Sequence, residues 1–297
     1  MPASPPTSAD SPDGQAVEGT LSEMLAAQLE AVRIAGDALA AIAEGATEMA
    51  EGIRRGARLH YAAAGSSGLM ALADASELPG TFGIAQNQII VHMAGGAPLN
   101  GVMPGHTEDN AEAARLAAIT VEAGDVVIVL SASGTTPYAL AFAETARARY
   151  GRVIALANVA GTALSKLAHI PITLPTGPEY VEGSTRLSAG TAQKVALNMM
   201  STQMGILLGH VHNGLMVNLK PDNIKLRRRA GDIVQRISGA SRLVAERALE
   251  ATGYDTKAAT LVARGLTVDR ALALLDQHKG FLSACLAVCD AETENQS

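Results

Sequence analysis

At 297 residues the chain can bury a full-sized core, as one large domain with an appendage or as two domains, which excludes a small stapled scaffold. A formal net charge of -6, with Lys and Arg scattered along the chain, excludes the concentrated basic face of a nucleic-acid binder, so any anionic ligand has to be held locally. With no Trp and only 3% aromatic residues, stacking surfaces for bases or sugars are scarce.

Residues 1–17 read as a disordered tail. Met1 to Gln15 is mostly Pro, Ser, Ala and Asp, without the basic and apolar regions of a secretory signal. No apolar run approaches the roughly 18 residues that a membrane span needs. The expectation is a cytoplasmic protein with neither a membrane nor a nucleic-acid partner. From Glu18 to Arg55, apolar residues at near-helical spacing predict one long helix or two joined helices.

The pattern then changes to short apolar runs alternating with helices. Arg58 to Ala63, Gln88 to Ala94, Asp125 to Ser131, Arg152 to Asn158 and His169 to Leu174 read as strands whose near-continuous apolar character fits a parallel sheet covered on both faces. Helical patterns fill the gaps at Ser67 to Ala75, Asp109 to Glu122, Pro137 to Tyr150 and Ala163 to Leu167. The repeated strand, loop, helix order is that of an α/β fold with a doubly wound parallel sheet, in which ligands bind where the strand order reverses. A further long helix is expected from Ser188 or Gly190 through Leu208, with His210 and His212 placed two apart on a helix. Beyond Pro221 the strand signals stop, and Asp222 to Arg236, Ala240 to Glu250, Thr256 to Arg264 and Thr267 to Gln277 predict a C-terminal helical bundle. The expected division is 18–225 and 226–297.

Two loops carry the binding signal. Ala64-Gly65-Ser66-Ser67-Gly68 and Ser131-Ala132-Ser133-Gly134-Thr135-Thr136 each follow a strand and lead into a helix. Hydroxyls beside glycines at a helix start cradle a phosphate, which nominates Ser66, Ser67, Ser131, Ser133, Thr135 and Thr136 as ligand-binding residues. Any single loop of this type is compatible with ordinary turn and cap chemistry; two after two parallel strands point to a site. Glu77 and Glu108 are read in short polar loops, where two carboxylates could serve as acid and base. Glu179, in Gly177-Pro178-Glu179, is a third candidate carboxylate. Lys194 lies in the first turns of the long helix, against its dipole, where an anionic ligand would hold it. The histidines read as packed residues, as do Cys285 and Cys289, and no metal set is nominated.

Together with Asp74-Ala75-Ser76-Glu77 and the run from Gly183 to Lys194, these loops make the chain resemble the N-acetylmuramic acid 6-phosphate etherases, of the sugar isomerase (SIS) phosphosugar-binding superfamily. The similarity spans roughly residues 18 to 290. It implies a SIS fold with a C-terminal helical bundle, a homodimer, and cofactor-free cleavage of the ether between lactate and the sugar 3-position. Glu77 would then be the acid that helps lactate leave and Glu108 the base beside the carbonyl. Leu69 and Thr135 depart from this pattern, standing where the family usually carries arginines, and Leu78-Pro79-Gly80 replaces its Cys-Pro-Pro. A SIS isomerase or lyase on another amino sugar phosphate, and a non-catalytic phosphosugar sensor, are the alternatives.

Overall fold

The computed structural model describes residues 17–294. The tail read over 1–17 therefore lies outside the described residues, except for Val17, where the first helix begins.

Five strands, β1 (Leu59–Ala63), β2 (Ile89–Met93), β3 (Val126–Ser131), β4 (Arg152–Ala157) and β5 (Ile170–Thr173), pair in parallel in the order β2-β1-β3-β4-β5. Each matches an expected apolar run to within two residues, because strands buried on both faces read as unbroken hydrophobic stretches. Successive side chains divide between the two faces. Leu59, Tyr61, Val126, Ile128, Leu130, Ile154 and Leu156 enter one core; Ala62, Val127, Val129, Val153 and Ala155 enter the other.

The first core is closed by α1 (Val17–Asp37), α2 (Leu39–Arg54), α3 (Gly65–Phe82) and α7 (Ser188–Leu207). The Glu18 to Arg55 run is thus two helices in tandem. The second core is closed by α4 (Ala111–Ala118), α5 (Pro137–Ala148) and α6 (Ala163–Leu167). Because α3 leaves β1 toward one face while α5 leaves β3 toward the other, the loops after β1 and β3 diverge. That opens a crevice at the C-terminal ends of two adjacent strands.

The C-terminal region holds α8 (Ile224–Ser238), α9 (Arg242–Ala251), α10 (Thr256–Ala263), α11 (Val268–Gln277) and α12 (Leu282–Glu294). Asn223, Ser241, Asp255 and Thr267 start the first four by accepting a hydrogen bond from a backbone N–H three residues on. Cys285 and Cys289 are buried on α12, a helix beyond the four expected for the C-terminal bundle. A division between 225 and 226 passes through the first turn of α8.

Two local expectations are corrected. Glu77 does not sit in a loop: α3 continues past Ala75 to Phe82, with Pro79 inside it. Pro79 and Gly80 are poor helix formers, but Leu78 and Phe82 are buried in the first core, and their burial outweighs the one helical bond that the proline lacks. His210 and His212 do not share a helix either. His212 belongs to β6 (Val211–His212), which pairs antiparallel with β7 (Leu215–Met216) through Asn213 and Gly214, both at positive φ.

Candidate active site

The crevice at the β1/β3 ends is a cavity of about 410 Å³. Ala64, Gly65, Ser66, Ser67 and Leu69 line it from the β1 side, and Leu130, Ser131, Ala132, Ser133 and Thr136 from the β3 side. Met103, Pro104 and Glu108 close it from the loop after β2, and Gly183, Ser184 and Thr185 from the segment before α7. Both expected hydroxyl loops thus face one space. Among the described residues no lysine or arginine lines it, so an anion there would be met by hydroxyls and by the N–H groups at the start of α3.

Glu108 is an exposed residue at the edge of this cavity, and its main chain is held by the backbone around it. Its carbonyl accepts from Tyr138 N (3.0 Å) in the first turn of α5, and the neighbouring Thr107 hydroxyl reaches Ala94 O and Pro104 O, each at 3.3 Å. Its carboxylate lies against Gly65, at the first residue of α3. Gly65 has φ +55, a backbone conformation that favours glycine, and a Cβ there would overlap Glu108 Oε1 and push the carboxylate away. The carboxylate and the hydroxyls of the β1 loop are therefore parts of one site.

The β3 loop is held from within. Ser131 Oγ lies 2.8 Å from Thr136 Oγ1 and accepts from Gly134 N at 3.1 Å. Ser133 Oγ accepts from Thr135 N at 3.2 Å and from Thr135 Oγ1 at 3.0 Å. Gly134, at φ +65, packs so closely on Thr162 that a side chain there would collide. Thr135 is exposed and orients Ser133 from outside the cavity wall.

Three other candidates stand apart. Glu77 is exposed on α3 and does not line the cavity. It is eleven residues beyond Ser66, hence on nearly the same helical stripe but about 16 Å along the axis. Glu179 accepts from Ser188 N (2.9 Å) and Ala189 N (2.8 Å), so its two oxygens cap the start of α7. Lys194 is exposed in the second turn of that helix.

Sequence reading had not nominated Met103, Pro104, Ser184 or Thr185, which come from segments without regular structure, nor the buried cluster around Asp74. That carboxylate is 4% exposed and accepts from Tyr61 Oη (2.9 Å), Asn198 Nδ2 (2.8 Å) and Ser201 Oγ (2.8 Å). Burial raises its pKa, and the nearby Glu77 charge adds to the rise, while the hydrogen bonds from Ser201, Asn198 and Tyr61 oppose it. His60 on β1 and His92 on β2 stack with ring centroids 5.2 Å apart, and His60 Nε2 lies 3.0 Å from Asp125 Oδ2. A carboxylate only accepts, so this nitrogen carries the proton. Among the described residues no group of three or more His, Cys, Asp or Glu could hold a metal ion.

The pattern described as "SIS domain" matches residues 100–203. An N-acetylmuramic acid 6-phosphate etherase from Enterobacter sp. (strain 638) is 39% identical over 253 residues, 84% of this chain and 85% of that one. One from Streptomyces avermitilis is 39% identical over 273 residues, covering 91% of this chain and 85% of its own. The chain belongs to the N-acetylmuramic acid 6-phosphate etherase family. Another member, from Halalkalibacterium halodurans, is 40% identical over 251 residues, 82% of this chain and 83% of that one. Among solved structures, a phosphoheptose isomerase from Francisella tularensis aligns with 65% of this chain and 98% of its own, with a TM-score of 0.49 and 20% identity. Within this etherase family frame, the crevice holding Glu108 is the candidate active site. Leu69 contributes an apolar side chain to its wall, whereas Thr135 does not reach it. No helix among the described residues is long and apolar enough to cross a membrane.

Proposed function

We propose that this crevice cleaves the lactyl ether of N-acetylmuramic acid 6-phosphate, yielding N-acetylglucosamine 6-phosphate and D-lactate by elimination and addition of water. The observation that carries the reading is the carboxylate of Glu108 resting on the first residue of α3, inside the hydroxyl-lined cavity. The 6-phosphate sits among Ser66, Ser67, Ser131, Ser133 and Thr136 and the N–H groups at the α3 start. Thr135 holds Ser133, Glu179 holds the start of α7 behind Ser184 and Thr185, and Lys194 adds positive charge along that helix. Bound this way, the open-chain sugar presents its C2 hydrogen, beside the C1 carbonyl, to Glu108.

Glu108 takes that proton, the electron pair forms the C2–C3 double bond, and the C3–O bond breaks. The departing lactate oxygen takes a proton from Glu77. Water then adds at C3 of the unsaturated aldehyde and C2 is reprotonated, which restores both carboxyl groups.

Within one copy Glu77 lies too far along α3 to share a sugar with Glu108. We therefore place the Glu77 of one copy against the cavity of a second, in a homodimer. An exposed apolar stripe on α1 supports association: Leu21, Leu25, Leu29 and Val32 are 58%, 59%, 63% and 45% exposed. The direct test is incubation with muramic acid 6-phosphate and assay of D-lactate. An isomerase acting on another amino sugar phosphate would also need a base at C2 but would release no lactate, and a sensor would bind without turnover.

A further inference from the structure

We propose that Asp74 is a positioning residue for Glu77: by tying the middle of α3 to β1 and α7 it fixes the helical turn from which Glu77 acts. The inference rests on the acid role given above to Glu77 and names the device that supports it.

The turn bearing Glu77 is weak on its own. Pro79 has no N–H to give to the Ala75 carbonyl, and Ser76 Oγ bonds back to Leu72 O at 2.6 Å, a contact that bends helices. Gly80 follows, and Glu77 itself is exposed. Rigidity has to come from the side. Asp74, one turn before Glu77, supplies it through Tyr61 on β1 and Asn198 and Ser201 on α7.

The choice of a carboxylate is informative. All three partners donate, and a carboxylate is the acceptor-only side chain that can satisfy them together. It is buried, and among the described residues no cation contributes to its shift, an expensive arrangement when apolar packing can also join α3 to α7. What apolar packing does not supply is direction: three short bonds from two elements fix both the rotation and the axial position of this turn. A displacement of about 1 Å at a reacting group can slow a reaction on the order of 100-fold, so such fixation matters where Glu77 meets the leaving group.

The experiment separates two steps of the reaction. With muramic acid 6-phosphate in heavy water, the exchange of the C2 hydrogen reports on Glu108, and D-lactate release reports on both carboxylates. Asp74→Asn keeps the shape but replaces one accepting oxygen by a donating amide; Asn198→Ala removes one tie and leaves the carboxylate. Both variants should lose lactate turnover, by about 10-fold or more for Asp74→Asn and less for Asn198→Ala, with KM and C2 exchange within about 3-fold of wild type. A purely structural role would lower exchange and lactate release in parallel, and that result, or unchanged lactate release in both variants, would overturn the proposal. If Asp74→Asn does not fold, Asn198→Ala alone decides between these outcomes. Glu77→Gln measured alongside isolates the premise: if it releases lactate normally, the acid role of Glu77 is wrong. If it does not, while Asp74→Asn and Asn198→Ala do, only the positioning role is wrong.

Discussion

Gly65→Ala probes the contact on which the site reading turns. At φ +55 an alanine costs about 1–2 kcal/mol of backbone strain, which for a chain of this size lowers Tm by several degrees. The new methyl also overlaps Glu108 Oε1, and restoring ordinary contact at about 3.5 Å moves the carboxylate by roughly 1 Å. A shift of that size at a catalytic base reduces kcat by about 100-fold. Gly56→Ala is the control: its φ is +80, yet a Cβ there meets nothing within 4 Å, and it precedes β1 at the far end of the sheet. Both variants should lose comparable stability in thermal unfolding, but only Gly65→Ala should lose D-lactate release. Equal activity in the two would show that the Glu108 contact at Gly65 has no part in the chemistry.

Other perturbations follow from the same geometry. Ser133→Ala removes a hydroxyl assigned to the phosphate, worth about 1.5–3 kcal/mol for a bond to a charged group; binding of the 6-phosphate sugar should weaken, whereas a sugar without the phosphate should bind both forms alike, and equal loss for both ligands would make Ser133 structural. Mixing Glu77→Gln and Glu108→Gln subunits should regenerate about a quarter of wild-type activity if each site takes its two carboxylates from different copies; no activity in verified mixed dimers would place both in one copy. Lys257, 5% exposed and donating to Gly280 O at 2.9 Å, has its pKa lowered by burial to about 8. The folded state thus binds fewer protons than the unfolded one between about pH 8 and 10.4, so this group disfavours folding fully below pH 8 and progressively less above it. Lys257→Met should therefore be more stable than wild type at pH 7 in urea unfolding, with the advantage shrinking above pH 8; an advantage constant with pH would refute the assignment.

Much of this was legible in the sequence because the relevant signals are local. Strands buried on both faces read as apolar runs, which located β1 to β5. The hydroxyl loops marked the crevice because they follow β1 and β3, the adjacent strands whose outgoing helices take opposite faces. The place of Glu108 in a loop after a strand was legible for the same reason. Glu77 lies on a helix rather than in the expected polar loop because Leu78 and Phe82 are buried in the first core, a tertiary effect. The Asn213-Gly214 turn was available as a hairpin signal, but the flanking strands are two residues each, too short to show alternation. Asp74 could not have been singled out: its partners Tyr61, Asn198 and Ser201 are 13, 124 and 127 residues away in the chain. Ser184 and Thr185 reach the cavity only because α7 packs across α3, which no periodicity encodes.

The most direct test of the central claim, that Glu108 abstracts the C2 proton in the crevice between β1 and β3, is hydrogen exchange at C2 of muramic acid 6-phosphate in heavy water, catalysed by Glu108→Gln. The amide fills the same space but cannot take a proton. The substituted protein should bind the phosphosugar within a few-fold of wild type while losing both C2 exchange and D-lactate release. Exchange at the wild-type rate would contradict the account and move the base elsewhere in the molecule.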